Sequence, residues 1–335
     1  MQAPDHRAGT TTVVAVLTYR RADGLFPLLT ELVAQAGELA PRAEVVVIDN
    51  DPAGSAEDVV RAFGDRGVRY VLEPRPGISA ARNRALDEAA QADVLVFIDD
   101  DELPYPEWLV NLTRTWKEWD AAAVAGPVPA QLMGPADPWV TGSGIFERSR
   151  HPTGQEMRGA GAGNLLLDLG WVSRLGLRFD ERFGLTGGED TLLTRQLVSG
   201  GGAIRWCDEA IAVESIPVER LTRAWVLTRS FRTGSSWSRA ELHVVGTRVG
   251  RAGLRVRLAV KAAARTALAA LQWIGAAVRR DVPGRARAVC TLASYAGLVV
   301  GAFGYVHEEY ARVVDRDGGM PAPAPLEEAQ RVASR

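Results

Sequence analysis

Four consecutive acidic residues, placed directly after a short apolar run, are the side chains best suited to chemistry in this sequence. Asp99, Asp100, Asp101 and Glu102 follow residues 94–98, whose apolar composition predicts a strand buried on both faces. Carboxylates packed at the end of such a strand repel one another and lose hydration. A divalent cation shared with a phosphate group relieves this cost, because Mg²⁺ and Mn²⁺ prefer oxygen ligands. A solvated acidic turn is the alternative interpretation.

A second acidic pair could serve a separate chemical step. Glu189 and Asp190 follow two glycines and open a predicted helix over residues 191–198. The helix dipole stabilises acidic side chains at a helix N-terminus, and this alone is a sufficient structural reason for their presence. Gly187 and Gly188, however, also permit a ligand to approach the backbone closely.

Strand patterns alternate with helical patterns through the first hundred residues. This alternation predicts βαβ units and therefore an α/β fold, a mostly parallel sheet with helices on its faces. In such sheets ligands bind beyond the carboxyl ends of the strands, where Thr18, Tyr19, Asp49 and Asp99 follow predicted strands. The predicted strands span residues 12–17, 44–48, 68–72 and 94–98, and the predicted helices span 24–37, 55–63 and 79–91, with N-caps at Ser55 and Ser79.

Composition excludes several classes of protein. With 335 residues, 47% of them hydrophobic and 24% charged, the chain is typical of a folded protein with room for two domains. Its two cysteines, Cys207 and Cys290, are too few for a disulfide framework or a cysteine-based metal site. The polar N-terminus lacks an apolar run long enough for a signal peptide, so we expect the catalytic part on the cytoplasmic side. Both common glycine-rich nucleotide fingerprints are absent.

Charge divides the chain into an acidic head and a basic segment. Residues 1–219 carry 20 Lys and Arg against 33 Asp and Glu. Residues 220–287 carry 15 Lys and Arg against only Glu241 and Asp281. A basic segment of this kind suits phosphates or an anionic surface, and a solvated basic helix face is the alternative interpretation.

Two apolar stretches in the C-terminal part, residues 258–278 and 288–306, are candidate membrane segments, and the first of them contains Lys261 and Arg265. Residues 288–306 contain no charged side chain and approach the length that crosses a bilayer. Their Gly297-x-x-x-Gly301 pattern is typical of close helix packing. We expect membrane association, by a single span or by interfacial helices lying on the leaflet. The alternatives are a helical hairpin packed on the catalytic domain and a homodimer interface.

Five short motifs, taken in order, resemble those of family 2 glycosyltransferases of the GT-A fold. They are VLTYRR at 16–21, VIDND at 47–51, GISAARNR at 77–84, FIDDDE at 97–102 and GGED at 187–190. EPRPGIS at 73–79 together with TGGED at 186–190 is further similar to the branch of succinoglycan-type exopolysaccharide transferases. The resemblance implies a GT-A domain, with a Rossmann-like, mostly parallel sheet and flanking helices, followed by a C-terminal helical extension.

The reaction implied by this resemblance is inverting, metal-dependent sugar transfer from a nucleoside-diphosphate-sugar, expected to be a UDP-sugar, to a saccharide acceptor. The Q-x-x-R-W signature of processive members is absent, which favours addition of a single sugar. Mn²⁺ or Mg²⁺ is the expected cofactor, and the acceptor is expected to be lipid-linked, at the cytoplasmic side of the cell membrane. The expected partner surface is an anionic membrane and not a nucleic acid. A soluble metabolite or protein acceptor, and a non-catalytic binder that recruits a membrane synthase, are the alternatives.

The resemblance also implies roles for individual residues. Asp190 is the expected general base, Glu189 the expected contact to sugar hydroxyls, and Trp206 either an acceptor wall or a core aromatic. Donor-binding roles fall on Thr18, Tyr19, Asp49 as the partner of the base, Arg82, Asp99, Asp100, Arg229 and Arg232. Metal-binding roles fall on Asp101 as the direct ligand, Asp99 and Glu214. Arg229 and Arg232 equally fit a membrane-facing stripe. For the last position in the metal shell, a water molecule is the alternative to Glu214.

Charge and motif positions together predict the domain boundaries. Residues 1–219 are predicted to form the catalytic domain, with a nucleotide-sugar half at about 12–101 and an acceptor half at about 102–219. Residues 220–335 are predicted to form a basic, apolar helical extension that ends in a flexible tail from about residue 315.

Overall fold

A central sheet of eight strands organises the computed structural model, which describes residues 9–184 and 187–304. In chain order the strands are β1 (Thr12–Thr18), β2 (Glu44–Asp49), β3 (Val68–Leu72), β4 (Val94–Asp99), β5 (Glu102–Pro104), β6 (Ala123–Ala125), β7 (Ala130–Leu132), β8 (Glu156–Met157), β9 (Asn164–Asp168), β10 (Ile204–Trp206) and β11 (Ala212–Ile216). The central sheet has the order β3-β2-β1-β4-β9-β6-β10-β8. Strands β8 and β9 run antiparallel to their neighbours, and the other pairings are parallel, which confirms the predicted mostly parallel sheet.

The register of the first strands brings their polar ends to one edge of the sheet. Thr18 at the end of β1 pairs with Asp49 at the end of β2. On the other side of β1, Leu17 pairs with Asp99 at the end of β4. Because these strands are parallel, their carboxyl ends meet, and the residues that follow them form a common polar edge.

Helices cover both faces of the sheet because the strand residues are apolar on both sides. Val14 and Val16 of β1 pack in one core, whereas Val13 and Ala15 pack in the other. This alternation is the direct result of the two-residue period of a strand. The helices of this part are α1 (Ala22–Ala36), α2 (Glu57–Arg61), α3 (Ile78–Glu88), α4 (Trp108–Glu118), α5 (Pro138–Thr141), α6 (Leu169–Arg174) and α7 (Glu189–Ser199).

The predicted N-caps of two helices are wrong. Helix α2 begins one residue beyond Ala56, and α3 begins after Gly77, neither with a side-chain cap. Gly77 has a φ of 108°, which an L side chain rarely adopts, so the glycine is required for the chain to enter α3. Ser79 instead donates its hydroxyl hydrogen to the Asp180 carbonyl at 2.9 Å, which ties α3 to the loop before α7.

A small second sheet closes the site edge. It has the order β5-β11-β7, with β11 antiparallel to β5 and parallel to β7. Glu214 of β11 lies opposite Glu102 of β5. Because β5 begins three residues after the end of β4, this sheet holds the four-acid segment in place at the polar edge.

Three long helices form the C-terminal extension: α8 (Arg223–Val244), α9 (Arg248–Val278) and α10 (Val282–Ala302). Each begins at a residue whose side-chain oxygen accepts a backbone N–H, namely Thr222, Thr247 and Asp281. Such caps satisfy donors that have no partner within the helix and mark where each helix starts. The flexible tail predicted from about residue 315 lies outside the described residues.

Helix α10 contains most of the candidate membrane span and packs on α8 by close backbone contact. A Cβ on Gly301 would lie 2.6 Å from the Ser235 carbonyl oxygen, and one on Gly297 would lie 2.7 Å from the Phe231 carbonyl carbon. The glycine pattern therefore packs two helices of the extension against each other. Within residues 9–184 and 187–304, no helix combines the length and the apolarity that crossing a membrane requires.

Candidate active site

Two arginines neutralise the exposed end of the acidic segment. Thr18 donates its hydroxyl hydrogen to Asp100 Oδ2 at 2.8 Å. Arg21 Nη1 donates to Asp100 Oδ1 at 3.1 Å and to Asp101 Oδ2 at 2.7 Å. Arg220 Nη1, which comes from the turn before α8, reaches the same Asp101 oxygen at 3.2 Å. Asp101 is thus held between two guanidinium groups that belong to distant parts of the chain.

Asp99 and Glu102 share one electrostatic environment in the same cleft, where Glu102 is buried and Asp99 faces the opening. Burial and the neighbouring carboxylates raise the pKa of Asp99 to about 6, although the positive charge of Arg82 opposes the shift. Burial, and then the carboxylates of Asp99 and Asp101, raise the pKa of Glu102 well above its usual range. A cation or a cationic ligand group bound here would offset the repulsion between these carboxyl groups and favour their charged form.

Arg82 connects the two acidic groups that the sequence placed far apart. Its Nη1 forms an ion pair with Glu189 Oε1, and its Nη2 lies 3.9 Å from Asp99 Oδ1. Arg82 and Glu189 are 5% and 3% exposed, so the pair is shielded from solvent. Burial raises the pKa of Glu189 to about 7 despite the attraction of Arg82. Among the described residues, Glu189 Oε2 is buried without a hydrogen-bond partner.

Asp190 lies at the N-terminus of α7 with its carboxylate held by backbone donors. The Thr191 N–H donates to Asp190 Oδ1 at 2.6 Å, and the Ala162 N–H donates to Oδ2 at 3.3 Å. A Cβ on Gly161 would lie 3.5 Å from the same Oδ2, so the glycine-rich loop passes close to this carboxylate. Unlike Glu189, Asp190 is only half-buried and remains accessible from the cleft.

Gly163 separates Asp99 from Glu102 where the same loop enters β9. A Cβ on Gly163 would lie 3.0 Å from Asp99 Oδ2 and closer still to Glu102 Oε1. A side chain at this position would displace at least one of the two carboxylates. The loop from Gly159 to Gly163 therefore lines the floor between the two acidic groups.

Tyr19 and Arg20 lie beside the end of β1, at the predicted nucleoside pocket. The Arg20 guanidinium lies 5.2 Å from the centre of the Tyr19 ring, and its Nε donates to Asp51 Oδ2 at 3.3 Å. Arg20 has a φ of 55°, a strained value for a residue with a side chain. The structure thus brings Thr18 and Tyr19 to the polar edge as predicted.

Asp49 does not face this pocket, contrary to the role predicted for it. The residue is completely buried, and its carboxylate accepts three hydrogen bonds. They come from the Asp51 N–H at 2.9 Å, the Ala56 N–H at 2.8 Å and the Tyr70 hydroxyl at 3.1 Å. Asp49 therefore holds the turn after β2 in shape, and its geometry does not match a hydrogen bond to a nucleoside base.

Glu214 does not match the predicted metal-ligand role. Its Oε2 accepts a hydrogen bond from Arg148 at 2.9 Å, and its Oε1 lies 3.6 Å from Arg220 Nη1. Across the described ranges, no group of three or more acidic, histidine or cysteine side chains is arranged to hold a metal ion. Asp99 and Asp101 offer carboxylate oxygens, which hard cations prefer, in a cleft that contains several carboxylates. They therefore fit a divalent cation whose remaining ligands would come from a bound molecule.

Trp206 is a core aromatic, the alternative that its position in the sequence left open. It is 8% exposed and packs in the core that also contains Phe97 and Leu193. Its indole Nε1 donates to Asp208 Oδ1 at 3.2 Å. The structure therefore does not present Trp206 as a wall for an acceptor.

Arg229 and Arg232 lie on α8, which packs against α7 beside the acidic pair. A Cβ on Gly188, the residue before α7, would lie 3.0 Å from the Ser236 Cβ. Arg232 is one turn before Ser236 and shares its face of α8. Both arginines are half-buried, so this face of α8 is turned toward the catalytic part of the chain.

The roles of Arg21 and Arg148, which pair with acidic residues of the site, were not predicted from the sequence. Arg21 belongs to the VLTYRR motif, but its pairing with both Asp100 and Asp101 depends on the turn after β1. Arg148 and Arg220 carry no local motif, because their partners are 66 and 119 residues away in the chain. The basic segment after residue 219 was the signal in the sequence that pointed to Arg220.

Comparison with known proteins agrees with this fold. Residues 13–172 match the family model described as glycosyl transferase family 2. Over 230 residues, 68% of this chain, the sequence is 36% identical to the succinoglycan biosynthesis protein ExoM of Rhizobium meliloti (strain 1021), of which it covers 74%.

Two solved structures with low sequence identity share the fold. The mannosyltransferase PcManGT from Pyrobaculum calidifontis, solved with GDP-Man and Mn²⁺, is 21% identical with a TM-score of 0.60, covering 89% of each chain. S. aureus TarS 1-349, solved with UDP, is 16% identical with a TM-score of 0.51, covering 85% of this chain and 90% of that chain. These likenesses, together with the central sheet, show the GT-A fold. On this fold, and on its identity to ExoM over most of both sequences, the chain belongs to glycosyltransferase family 2 and is a glycosyltransferase.

Proposed function

We propose that the protein transfers one sugar, with inversion, from a nucleoside-diphosphate-sugar to a saccharide acceptor, with a divalent cation as cofactor. The observation that carries this proposal is the position of Arg82 between two carboxylate groups, Glu189 with Asp190 on one side and Asp99 on the other. An inverting transfer needs two such groups, because charge must be stabilised on the leaving side while a proton is removed on the attacking side.

The leaving side is built from Asp99, Asp101 and the arginines around them. When the sugar leaves, its bond to the diphosphate breaks and negative charge develops on the diphosphate oxygens. Bound Mn²⁺ or Mg²⁺, held by Asp99 and Asp101, would supply positive charge there. Arg21 and Arg220 already contact the acidic segment, so they can exchange a carboxylate for a phosphate oxygen without moving far. Arg229 and Arg232 lie on α8, which packs beside Glu189 and Asp190, and would add positive charge to the cleft from that side.

The attacking side is built on the N-terminus of α7. An acceptor hydroxyl oxygen forms the new bond to the anomeric carbon, and its proton passes to the Asp190 carboxylate. The two backbone N–H groups that donate to Asp190 hold its carboxylate in position at the N-terminus of α7. Glu189 holds Arg82 through one oxygen, and its other oxygen, Oε2, is the group that would accept a hydrogen bond from a sugar hydroxyl.

The biological setting proposed here is exopolysaccharide biosynthesis at the cytoplasmic face of the cell membrane. The name of the Rhizobium meliloti relative supports that setting, and the basic extension after residue 219 supports a lipid-linked acceptor. We propose residues 1–219 as the catalytic domain and residues 220–335 as an extension that serves the acceptor. A UDP-sugar is the proposed donor, although the solved structures of this fold include both UDP and GDP-Man complexes.

A donor screen that measures nucleoside diphosphate release with Mn²⁺ or Mg²⁺ tests this proposal. We expect Asp190→Asn to bind the donor but to lose transfer by about 10²–10⁴-fold, the usual contribution of a positioned base. Asp101→Ala is expected to abolish metal-dependent turnover. Asp58→Asn is the matched control, because Asp58 is an exposed residue of α2 that pairs only with Arg61 in the described part of the chain.

Three results would contradict the proposal in different ways. Transfer by Asp190→Asn at the rate of the unmodified protein would remove Asp190 from the role of base. Donor binding without transfer or hydrolysis across a broad acceptor panel would favour a non-catalytic binder. Product masses that are unchanged by omission of membrane extract would favour a soluble acceptor over a lipid-linked one.

A further inference from the structure

Helix α9 exposes an apolar face along its entire length. The helix spans 31 residues, and its buried side chains are Leu258, Ala262, Ala269 and Ala276, all on the side toward α10. At 100° per residue, the opposite side carries large apolar side chains that are each at least 54% exposed. We name these residues the α9 stripe: Val249, Val256, Val260, Leu271, Ile274 and Val278.

The α9 stripe runs along one side of the helix. At 100° per residue its six members, from Val249 to Val278, lie within about 60° of one another around the helix axis. The stripe therefore extends for about 43 Å along one side of the helix.

Positive charge flanks the α9 stripe, and the segment has no negative charge. Between Glu241 and Asp281 the sequence contains no acidic residue. Arg257 lies beside the stripe and is exposed, and Arg248 is exposed on its other side. Three further basic residues contact the fold: Lys261 Nζ lies 5.1 Å from the centre of the Trp237 ring, and Arg251 and Arg255 donate to the Val245 and Ala302 carbonyls. The other basic residues of α9 and of the turn after it are Arg265, Arg279 and Arg280. This pattern complements a surface of anionic phosphate groups over an apolar layer.

We infer that α9 docks the protein on an anionic lipid leaflet, lying in the plane of the headgroups with the stripe inserted and the basic residues among the phosphates. Helix α10 and α8 hold α9 from behind, so the docked helix does not have to leave the fold. The inference deepens the proposed function and rests on it for the acceptor, since a lipid-linked saccharide would lie in the same leaflet. The docking surface itself rests on α9 alone.

Sedimentation of the full chain with lipid vesicles tests the inference. We expect binding to phosphatidylcholine vesicles that contain phosphatidylglycerol, and much weaker binding to phosphatidylcholine alone. The double variant Val260→Gln with Leu271→Gln is expected to bind at least about tenfold more weakly, because two apolar side chains no longer enter the lipid. Arg257→Gln is expected to weaken binding about fivefold, and only to the anionic vesicles. Thr266→Gln, exposed on the same helix outside the stripe, is the matched control.

Four outcomes would overturn the inference. They are absence of binding to the anionic vesicles, binding that the double variant leaves unchanged, equal loss in Thr266→Gln, and a dimer in light scattering that the double variant converts to a monomer. Circular dichroism checks folding, and the single variant Leu271→Gln replaces the double variant if the latter does not fold. Nucleoside diphosphate release with a soluble saccharide is measured in parallel. Loss of vesicle binding with retained release, or the reverse, separates failure of this inference from failure of the proposed function.

Discussion

Replacement of Gly297 by alanine is expected to destabilise the protein, although the same replacement elsewhere in the extension is expected to stabilise it. Gly297 is in the middle of α10, where alanine is favoured over glycine by about 1 kcal/mol in helix propensity. A Cβ at this position, however, would lie 2.7 Å from the Phe231 carbonyl carbon and 3.1 Å from the Phe231 Cα on α8. Both atoms belong to the backbone, so no side-chain rotation can relieve the overlap.

The two effects can be compared directly. Overpacking of a well-packed site costs about 1–3 kcal/mol, and contact with a rigid backbone places Gly297→Ala at the upper end of that range. After the gain of about 1 kcal/mol in helix propensity, the net destabilisation is about 2 kcal/mol. Gly275→Ala in α9 is the matched control, because no atom lies within 4 Å of a Cβ there. That variant is expected to gain about 1 kcal/mol.

Urea unfolding followed by circular dichroism and tryptophan fluorescence measures both changes, and the nine tryptophans of the chain provide ample signal. The variants are expected to differ by about 3 kcal/mol in the free energy of unfolding, with opposite signs. If Gly297→Ala is as stable as Gly275→Ala, then α8 and α10 are not in backbone contact and the described packing of the extension is wrong. Because α8 supports the N-terminus of α7 through Ser236 and Gly188, we also expect weaker donor binding in Gly297→Ala.

The remaining predictions concern the site. The pKa of Glu189 in the folded protein is raised to about 7, so the folded state takes up a proton before the unfolded state does as the pH falls. Between about pH 7 and about pH 5, the melting temperature of the unmodified protein should therefore rise relative to that of Glu189→Gln. A difference in melting temperature that stays constant over this range would contradict the prediction. Arg220→Ala removes one of two cations that compete for Asp101, so calorimetric titration should show Mn²⁺ binding about threefold tighter or more, and unchanged or weaker affinity would refute the competition. Trp206→Ala should lower the free energy of unfolding by about 3 kcal/mol in urea titrations and leave the KM for the acceptor unchanged. A raised KM for the acceptor would show that Trp206 contacts the acceptor.

Most elements of the catalytic part were predictable because each is encoded locally. The apolar runs at 12–17, 44–48, 68–72 and 94–98 all became strands, with ends within one residue of the prediction. Such runs are bounded by polar or turn-forming residues, so the position at which a strand ends is visible in the sequence itself. Because the strands are parallel, the prediction of a common polar edge followed without knowledge of any long-range contact.

The direction in which a polar side chain points was less predictable. Asp49 and Asp99 both end apolar strands, yet Asp49 is completely buried and Asp99 faces the cleft. The difference arises because the turn after β2 folds back over Asp49 and supplies two N–H donors, whereas Gly163 of a distant loop leaves Asp99 open. Neither cause can be read from the residues adjacent to either acid.

The sequence by itself determined the order of strands and helices, the two acidic groups, and the basic character of the C-terminal part. Only the tertiary structure decided that Arg82 links those two groups and that arginines, and not a third acidic residue, pair with Asp101. It also decided that α10 packs on α8 while α9 keeps an apolar face exposed. The physical reason is the range of the interactions. Strand and helix propensity act over a few residues, whereas ion pairing and backbone contact between helices depend on residues that are far apart in the chain and adjacent only after folding.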